Sequence, residues 1–441
     1  GFPGRAVHLS AAAGYCWSMQ TADIQRRTLR LLFVTQIISG VGIAIGASVG
    51  ALLAAEIAGI GISGLALSAN VVGAALFAVP ATAIVHRYGR RPSLAAGYLV
   101  AAAGALIVVT AALRSSIPLL IAGLFLFGGA TAAGLQARYA AVDLAPAALR
   151  GRHLSLIVWA TTLGAVVGPS LAAPAGASLD GFGIPTLAGP FLFSALLFGL
   201  ATLLLVLLLR PDPAVVARAG RDGAPGAGVP RGGMRDALRA VASQPSPRLG
   251  VSAMAAGHVV MVGVMTMTPV HIRGAGHDAA HTLRIVGLVL SFHIAGMFAF
   301  APGFGWLTDR LGRRAVIVAG IALLLGACAL AGSAGHHPAR LAVALMMLGL
   351  GWSATTVAGS TLLSESVSEH LRASAQGLSD LLMGLAGASA GALSGVVVNA
   401  WGYPTLTLLA ALATGPLLVL ASVPLVRRAA GKAGQPRTGE V

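Results

Sequence analysis

The sequence has few charged residues, few aromatic residues and almost no cysteine. Charged residues make up only 10% of the 441 positions, whereas soluble domains contain about 25%. Two cysteines, Cys16 and Cys328, are too few for the disulfide framework of a small secreted domain. The sequence also lacks a P-loop, a Rossmann fingerprint and a nucleophile–base set, so it does not predict an enzyme. These absences exclude a soluble enzyme and a disulfide-stapled module.

Apolar runs of membrane-spanning length make up most of the sequence instead. Hydrophobic residues account for 56% of the chain, and the mean hydropathy is +0.86. A run of about 20 apolar residues is long enough to cross the hydrocarbon core of a bilayer as a helix. The runs predict an all-α membrane protein with twelve transmembrane helices. These spans are Leu31–Ala54, Leu65–Val85, Leu94–Leu113, Ile117–Ala137, Leu154–Ala173, Leu187–Leu209, Leu249–Val270, Ile285–Phe304, Val316–Ala334, Leu341–Leu362, Ala375–Val398 and Leu406–Leu425.

A segment rich in proline, glycine and arginine separates the first six spans from the last six. The sequence therefore predicts five parts, which are an N-terminal segment (1–30), a six-helix bundle (31–209), a linker (210–248), a second six-helix bundle (249–425) and a tail (426–441). Within the linker, the stretch MRDALRAVASQ predicts a short amphipathic helix on the membrane surface.

Basic residues outnumber acidic ones by 29 to 13, which gives a net charge of +16. A basic protein often binds polyanions, but no basic stretch here alternates with aromatic residues as in a single-strand-binding groove. The arginines lie between the spans, and with both termini in the cytoplasm only four basic residues fall in external loops. This bias follows the positive-inside rule. It predicts a monomeric, multi-pass protein of the bacterial inner membrane that contacts lipid and binds no nucleic acid.

Two short sequence patterns each occur twice in the chain, and the two copies of each pattern are separated by nearly the same number of residues. The sequence HRYGRR at 86–91 follows span two, and DRLGRR at 309–314 follows span eight, 223 positions later. Acidic and basic residues seven apart follow spans four and ten, 222 positions from each other. These pairs are Asp143 with Arg150 and Glu365 with Arg372. The repetition predicts two pseudo-symmetric bundles that arose by internal duplication. Asp143 is predicted to pair with Arg138 or Arg150.

The stretch GWLTDRLGRR at 305–314 resembles the cytoplasmic-loop signature of the major facilitator superfamily. The resemblance implies the major facilitator fold, transport by alternating access and a gating motif that latches the two halves. The first copy has Thr82 and His86 where the second has a glycine and an aspartate, which predicts that it lacks the usual carboxylate–arginine pair. The gating residues implied are Gly305, Asp309, Arg310, Gly312, Arg313, Arg314, Arg87, Gly89, Arg90 and Arg91.

Span five contains GAVVGP, which resembles the antiporter motif of the same family. Gly164, Gly168 and Pro169 predict a bent helix that packs closely against a neighbour. Ala172 and Ala173 replace two further glycines of the motif, and Leu124 in span four replaces the intramembrane arginine of many drug–proton antiporters. The motif therefore favours export only in part.

Asp380 lies early in span eleven, where a carboxylate at membrane depth is costly. Two interpretations remain open. Asp380 either couples transport to protons, facing the interior of the bundle, or forms a hydrogen bond between helices. Because the sequence contains no P-loop, uphill transport must draw on an ion gradient.

Spans seven and eight carry methionine and histidine at helical spacing. Met254, His258, Met261 and Met265 share one face of span seven, and His293 and Met297 lie four apart on span eight. Thioether and imidazole groups suit Cu(I), so Met261, Met265, His293 and Met297 predict a site for copper as a transported substrate, with no resident cofactor. The same residues would also suit an organic-solute cavity, or simple packing.

These motifs resemble the copper-importing branch of the family, which has close relatives that carry riboflavin. Three hypotheses follow. The protein imports a metal such as copper, or it exports drugs or organic metabolites as a proton-coupled antiporter, or it is a receptor or scaffold with a transporter fold.

Overall fold

A computed structural model describes residues 4–146, 149–219 and 234–421. These residues form fifteen α-helices and, over the same ranges, no β-strand. The predicted tail, 426–441, and the middle of the predicted linker lie outside them. The predicted fold class, an all-α membrane protein, is therefore confirmed.

The first half of the chain forms helices that match spans one to four and six, apart from their ends. Its helices are α1 (Gly4–Ala58), α2 (Ile60–Tyr88), α3 (Arg90–Arg114), α4 (Ile117–Ala140), α5 (Arg150–Val167), α6 (Ala172–Ala177), α7 (Gly189–Leu208) and α8 (Pro213–Ala219).

The second half begins with a short helix from the predicted linker and continues with long apolar ones. Its helices are α9 (Met234–Ser243), α10 (Pro245–Arg273), α11 (Ala279–Phe298), α12 (Ala301–Leu311), α13 (Arg313–Ser333), α14 (Pro338–Ser366) and α15 (Glu369–Leu412). Span seven corresponds to α10, span eight to α11 with α12, and span ten to α14.

Eleven helical segments of the described residues are long and apolar enough to cross a membrane. The last of them, Ser374–Ala421, has 48 residues, which at 1.5 Å per residue is about twice the thickness of the hydrocarbon core. Gly402 interrupts it with non-helical angles (φ 81°, ψ 170°), two residues before Pro404. This break divides the segment between the predicted spans eleven and twelve, so the described residues fit a fold of about twelve transmembrane helices.

Proline interrupts two spans that the sequence predicts as continuous. In span five, α5 ends at Val167 and a 3₁₀ turn, Gly168–Leu171, contains Pro169. In span eight, α11 ends at Phe298, and α12 starts at Ala301 with Pro302 in its first turn. Proline lacks an N–H and crowds the preceding turn, so it favours the start of a new helix over the continuation of an old one.

The amphipathic segment of the linker does form a helix, α9, but protein covers its apolar face. Ala237 and Val241 are buried in a cluster with Val251, Met254 and residues from α14 and α15. The helix itself is confirmed and its apolar face packs on neighbouring helices, while its position on the membrane surface stays a prediction.

The described residues group into two compact units. The first comprises Gly1–Gly228 with Gly276–Ser291, and the second comprises Val229–Ala275 with Phe292–Val441. The segment Gly276–Ser291, which the sequence places in the second bundle, groups with the first unit because Ser291 Oγ lies 3.0 Å from Ser170 Oγ. The five boundaries predicted from the sequence stay predictions.

The same close helix crossing occurs in both units. In the first unit, a Cβ added to Gly129 would lie 2.8 Å from the carbonyl oxygen of Gly97, and one added to Gly97 would lie 3.1 Å from that of Gly129. In the second unit, Gly351 and Gly320 face each other's carbonyl oxygens in the same way, at 3.0 and 3.1 Å. Small residues let helices approach closely in lipid. The two pairs are 222 and 223 positions apart, so the internal repeat extends to helix packing.

Candidate functional site

A shielded ion pair joins α3 to the residues that follow α4 in the first unit. Arg90 donates to the Asp143 carboxylate from Nε at 2.8 Å and from Nη2 at 3.0 Å, and from Nη1 to Gln136 Oε1 at 2.8 Å. The side chains of Arg90 and Asp143 are only 12% and 17% exposed. A bidentate pair of this kind combines charge with fixed geometry. Asp143 thus binds a partner that the sequence analysis missed, and the side chain of Arg150 lies outside the described part of the chain.

The second unit repeats this pair in a more exposed form. Arg313 donates to Glu365 from Nε at 2.9 Å and from Nη2 at 2.6 Å, with side-chain exposures of 29% and 50%. Arg313 and Glu365 follow Arg90 and Asp143 by 223 and 222 positions. The pair in the first unit uses Asp143, the counterpart of Glu365, and His86 still stands where the second copy has Asp309. The prediction that the first copy lacks the usual pair at the position of Asp309 stays a prediction.

Asp309 lies on the surface of the second unit, beside the same arginine. Its Oδ1 is 3.5 Å from Arg313 Nη2, and its side chain is 76% exposed. Contact with a basic residue is what the sequence predicts for Asp309, and its latching role stays a prediction. Arg310 lies over the ring of Trp306, 5.1 Å from its centroid, and Arg314 is half-buried in the first turn of α13.

A single glycine forms each turn between the helices that carry these arginines. Gly89 (φ 103°) separates α2 from α3, and Gly312 (φ 88°) separates α12 from α13. Side chains disfavour such angles, so glycine is needed for the backbone conformation. At Gly305, by contrast, an added Cβ would meet no atom of the described residues within 4 Å. No neighbouring helix of the described residues therefore approaches Gly305 closely.

Asp212, at the start of the predicted linker, caps two helices at once. Its carboxylate accepts from the backbone N–H groups of Arg90 at 3.1 Å and Arg91 at 2.7 Å, and from Ala214 in α8 at 2.9 Å. Carboxylates stabilise helix N-termini by accepting such otherwise unpaired N–H groups. Asp212 therefore ties α8 to the gating motif. The sequence analysis missed it because the two partners are about 120 residues away. Arg87 lies outside this arrangement, over the ring of Tyr88.

The GAVVGP motif packs against α1 within the first unit. A Cβ added to Gly164 would collide with the backbone of Ile37, and one added to Gly168 would lie 2.9 Å from the carbonyl oxygen of Val41. The structure thus shows close packing at both glycines and a 3₁₀ turn at Pro169. The role of the motif in export stays a prediction.

A buried polar network at membrane depth joins four helices of the first unit. Gln36 on α1 accepts from Tyr98 Oη at 2.7 Å and donates to the Gly134 carbonyl and to Thr161 Oγ1, each at 3.2 Å. Ser39 Oγ lies 3.0 Å from Tyr98 Oη. Gln36 and Tyr98 are 1% exposed, so this network satisfies groups that lipid could not. Nothing in the local sequence pattern indicated it.

The corresponding place in the second unit holds an imidazole–indole pair. Trp352 Nε1 on α14 donates to His258 Nδ1 on α10 at 3.1 Å. The ring of Phe298 on α11 meets the Trp352 ring edge to face, with centroids 5.8 Å apart. All three side chains are half-buried. They form an aromatic surface with one imidazole, here called the His258 cluster (His258, Phe298 and Trp352).

The repeat relates the His258 cluster to the network around Gln36. His258 follows Gln36 by 222 positions, and Gly387 follows Gly164 by 223. Gly387 on α15 makes room for the imidazole, since an added Cβ would lie 2.8 Å from His258 Nε2. The polar sites of the two units therefore use residues at corresponding positions of the repeat. The first unit has an amide there and the second has a histidine.

The four predicted copper ligands all belong to the second unit. Met261 is 4% exposed, Met297 is 9% exposed, and Met265 is half-buried. His293 is fully buried and its Nδ1 lies 2.8 Å from the carbonyl oxygen of Leu345 on α14. Its Nε2 is buried and, among the described residues, lacks a hydrogen-bond partner. Convergence of the four side chains on one site stays a prediction.

The described residues contain no group of three or more His, Cys, Asp and Glu side chains placed to hold a metal ion. The ring of His271 stacks on that of His336, with centroids 4.7 Å apart, and on that of Tyr403, with centroids 4.2 Å apart. His277 and His281 are 4.6 Å apart. Each of these histidine contacts joins only two histidines.

The side chain of Asp380 on α15 is exposed at the surface of its unit. It lies seven residues, or two turns, before Gly387 and therefore on the same helix face, the face that packs against His258. Asp380 also has an interaction within the protein. Its orientation toward the interior of the bundle and its coupling role stay predictions.

Comparison with known proteins identifies the family. The family model of the Major Facilitator Superfamily matches residues 32–283 and 276–440. The MFS-type transporter YdeG of Bacillus subtilis is 39% identical over 408 residues, covering 92% of each chain. The riboflavin transporter RfnT of Brucella anthropi is 27% identical over 420 residues, covering 93% of this chain and 98% of that protein.

Solved structures share the fold. The nucleoside transporter NupG superposes with a TM-score of 0.66 at 15% identity, covering 91% of this chain and 98% of NupG. A D-xylose–proton symporter superposes with a TM-score of 0.64 at 16% identity, covering 88% and 96%. The chain therefore belongs to the major facilitator superfamily and is a multi-pass membrane protein that transports a solute.

Proposed function

We propose that the protein is a secondary active transporter that carries a small organic solute with an aromatic ring across the plasma membrane by alternating access. The observation that supports this most is the His258 cluster. Trp352 and Phe298 offer two aromatic surfaces, and His258 offers a polar group beside them. Sites for organic ligands combine such apolar walls with a few placed polar groups.

The chemistry of the cluster favours a planar, partly polar solute. Aromatic pairs contribute about 0.5–1.5 kcal/mol beyond the burial of their area. Because Trp352 already bonds to Nδ1 of His258, only Nε2 is left to bind a ligand, and Nε2 lies against Gly387 on α15. The similarity to the riboflavin transporter RfnT makes riboflavin the first probe.

Copper uptake is the competing proposal. It would use a site formed by Met261, Met265, His293 and Met297. To bind copper, the ligating sulfur and nitrogen atoms of these side chains must point to one place and have no other partner. His293 uses one ring nitrogen to bind the backbone of α14 and keeps the other buried. A histidine that ligates a metal commonly donates its other ring N–H to a backbone carbonyl, so this geometry leaves Nε2 available to copper. We favour the organic solute because the contacts of the His258 cluster are seen, whereas the convergence of the four copper-site side chains stays a prediction.

The Trp352 side chain provides the first test. Replacing it by alanine should raise the KM for riboflavin uptake into liposomes by roughly threefold to tenfold, because the binding energy of about one aromatic contact is lost. Phenylalanine at the same position should lose less, because it keeps a ring. Trp401→Ala, which removes a 66% exposed indole elsewhere in the unit, is the matched control.

Met265→Leu separates the two proposals in the same assay. Leucine keeps the bulk of methionine but removes the sulfur, so riboflavin uptake should survive it. If the KM for riboflavin is unchanged in Trp352→Ala and copper accumulation is lost in Met265→Leu, the proposal of an organic solute is wrong and copper is the substrate.

Asp380 is proposed to couple transport to protons. Asp380→Asn should reduce accumulation driven by a pH gradient to the level of protein-free liposomes, while exchange of solute without a gradient continues.

Asp278→Asn is the control. The Asp278 carboxylate accepts the His281 N–H at 2.7 Å at the start of α11, and this bond lowers the pKa of Asp278. Asp278 therefore stays ionised over the pH range of transport. Full gradient-driven accumulation in Asp380→Asn would assign Asp380 to helix packing.

A further inference from the structure

The hydrogen bond between Trp352 and His258 fixes the protonation of the imidazole. An indole N–H is a donor only. Trp352 Nε1 lies 3.1 Å from His258 Nδ1, so Nδ1 must carry a lone pair and the proton of the neutral ring must lie on Nε2. This bond is possible only while His258 is neutral.

A second proton on His258 breaks this contact. Both ring nitrogens of an imidazolium are donors, so Nδ1–H would point at the N–H of Trp352 with no acceptor between them. The two groups must then separate. Proton binding at His258 and the bond to Trp352 are therefore mutually exclusive, whatever the surroundings.

Among the described residues, Trp352 contacts His258 from α14 and Gly387 lies against its ring from α15, and neither side chain is ionisable. Asp380, two turns from Gly387 on the same face of α15, is an ionisable group on that side. In the first unit the corresponding residue is Gln36, whose amide makes similar hydrogen bonds but cannot take up a proton.

We infer that His258 is a proton-binding site of the transporter and that its protonation releases the indole of Trp352. Proton binding thereby rearranges the aromatic surface on which the solute is proposed to bind, so this step of the inference rests on the proposed function. The internal repeat assigns proton sensing to the second unit, because the first unit has an amide at the corresponding position.

Tryptophan fluorescence tests the proton site without any transport. The protein, which has five tryptophans, is titrated in lipid nanodiscs from about pH 8 to about pH 3, because the bond from Trp352 stabilises the neutral imidazole and protonation therefore needs a lower pH than for a free histidine. The Trp352 signal is the difference between the protein and its Trp352→Phe variant. It should change in one step as His258 gains a proton and the indole loses its acceptor.

His258→Gln is the decisive variant, because glutamine keeps an acceptor for the indole and copies Gln36 of the other unit. It should abolish the step while Trp352 fluorescence stays at its high-pH value. His293→Gln, which removes the other buried imidazole of the unit, should leave the step in place. A flat Trp352 signal in the unmodified protein, or the same step in His258→Gln, would overturn the inference. A step lost only in His258→Gln, together with no movement of any aromatic solute, would keep the proton site and refute the proposed function alone.

Discussion

Replacing Gly351 by leucine should prevent the second unit from folding stably. A Cβ at this position would lie 2.8 Å from Leu324 Cγ and 3.0 Å from the carbonyl oxygen of Gly320. The larger side chain must force α13 and α14 apart, and overpacking of a helix crossing costs about 3 kcal/mol or more. We expect little folded protein, measured as the monodisperse fraction in size-exclusion chromatography after detergent extraction.

Gly384→Leu is the matched control for this change. Gly384 lies within the eleventh span, and an added Cβ would meet no atom of the described residues within 4 Å. The control should yield normal amounts of folded protein. Equal yields from Gly351→Leu and Gly384→Leu would show that the glycine crossing does not hold the helices together.

The second large effect is expected at Asp143. Asp143→Asn removes the charge that faces Arg90 in a pair that is less than a fifth exposed. Breaking a largely buried pair from one side costs about 3 kcal/mol, since the remaining charge loses its partner. The midpoint of thermal unfolding in detergent should fall by several degrees.

Glu365→Gln makes the corresponding change in the other unit. Its pair with Arg313 is more exposed, with half of the Glu365 side chain accessible, so the loss should be below about 1 kcal/mol. Comparable losses of stability in the two variants would mean that solvent screening does not distinguish the two pairs.

The helices of this fold could be predicted from the sequence because hydrophobicity and length decide them. Nine of the twelve predicted spans match helices without revision over the described residues, and the patterns at 86–91 and 309–314 revealed the repeat. Span twelve ends at residue 425, outside the described residues. The bend predicted at Pro169 in span five corresponds to the 3₁₀ turn there, whereas the break in span eight was missed although Pro302 stands beside it. A proline within an apolar run is compatible with either a kinked or a divided helix, so the pattern alone does not choose between them.

The polar contacts were predicted less well because they join distant parts of the chain. Asp212 lies in a linker with no motif of its own, and Gln36 is a single polar residue in an apolar run. His258 was placed on the correct helix face, but its partner Trp352 is 94 residues away. Helical spacing shows which residues share a face, but it does not show which face of another helix they meet.

Transport by the purified, unmodified protein tests the proposed function most directly. Liposomes containing the protein are given a pH gradient, and the accumulation of riboflavin and of Cu(I) is measured side by side against protein-free liposomes. The structure of the His258 cluster predicts saturable, gradient-dependent movement of riboflavin and no movement of copper above the background. Copper accumulation that Met265→Leu abolishes, without movement of riboflavin, would contradict it.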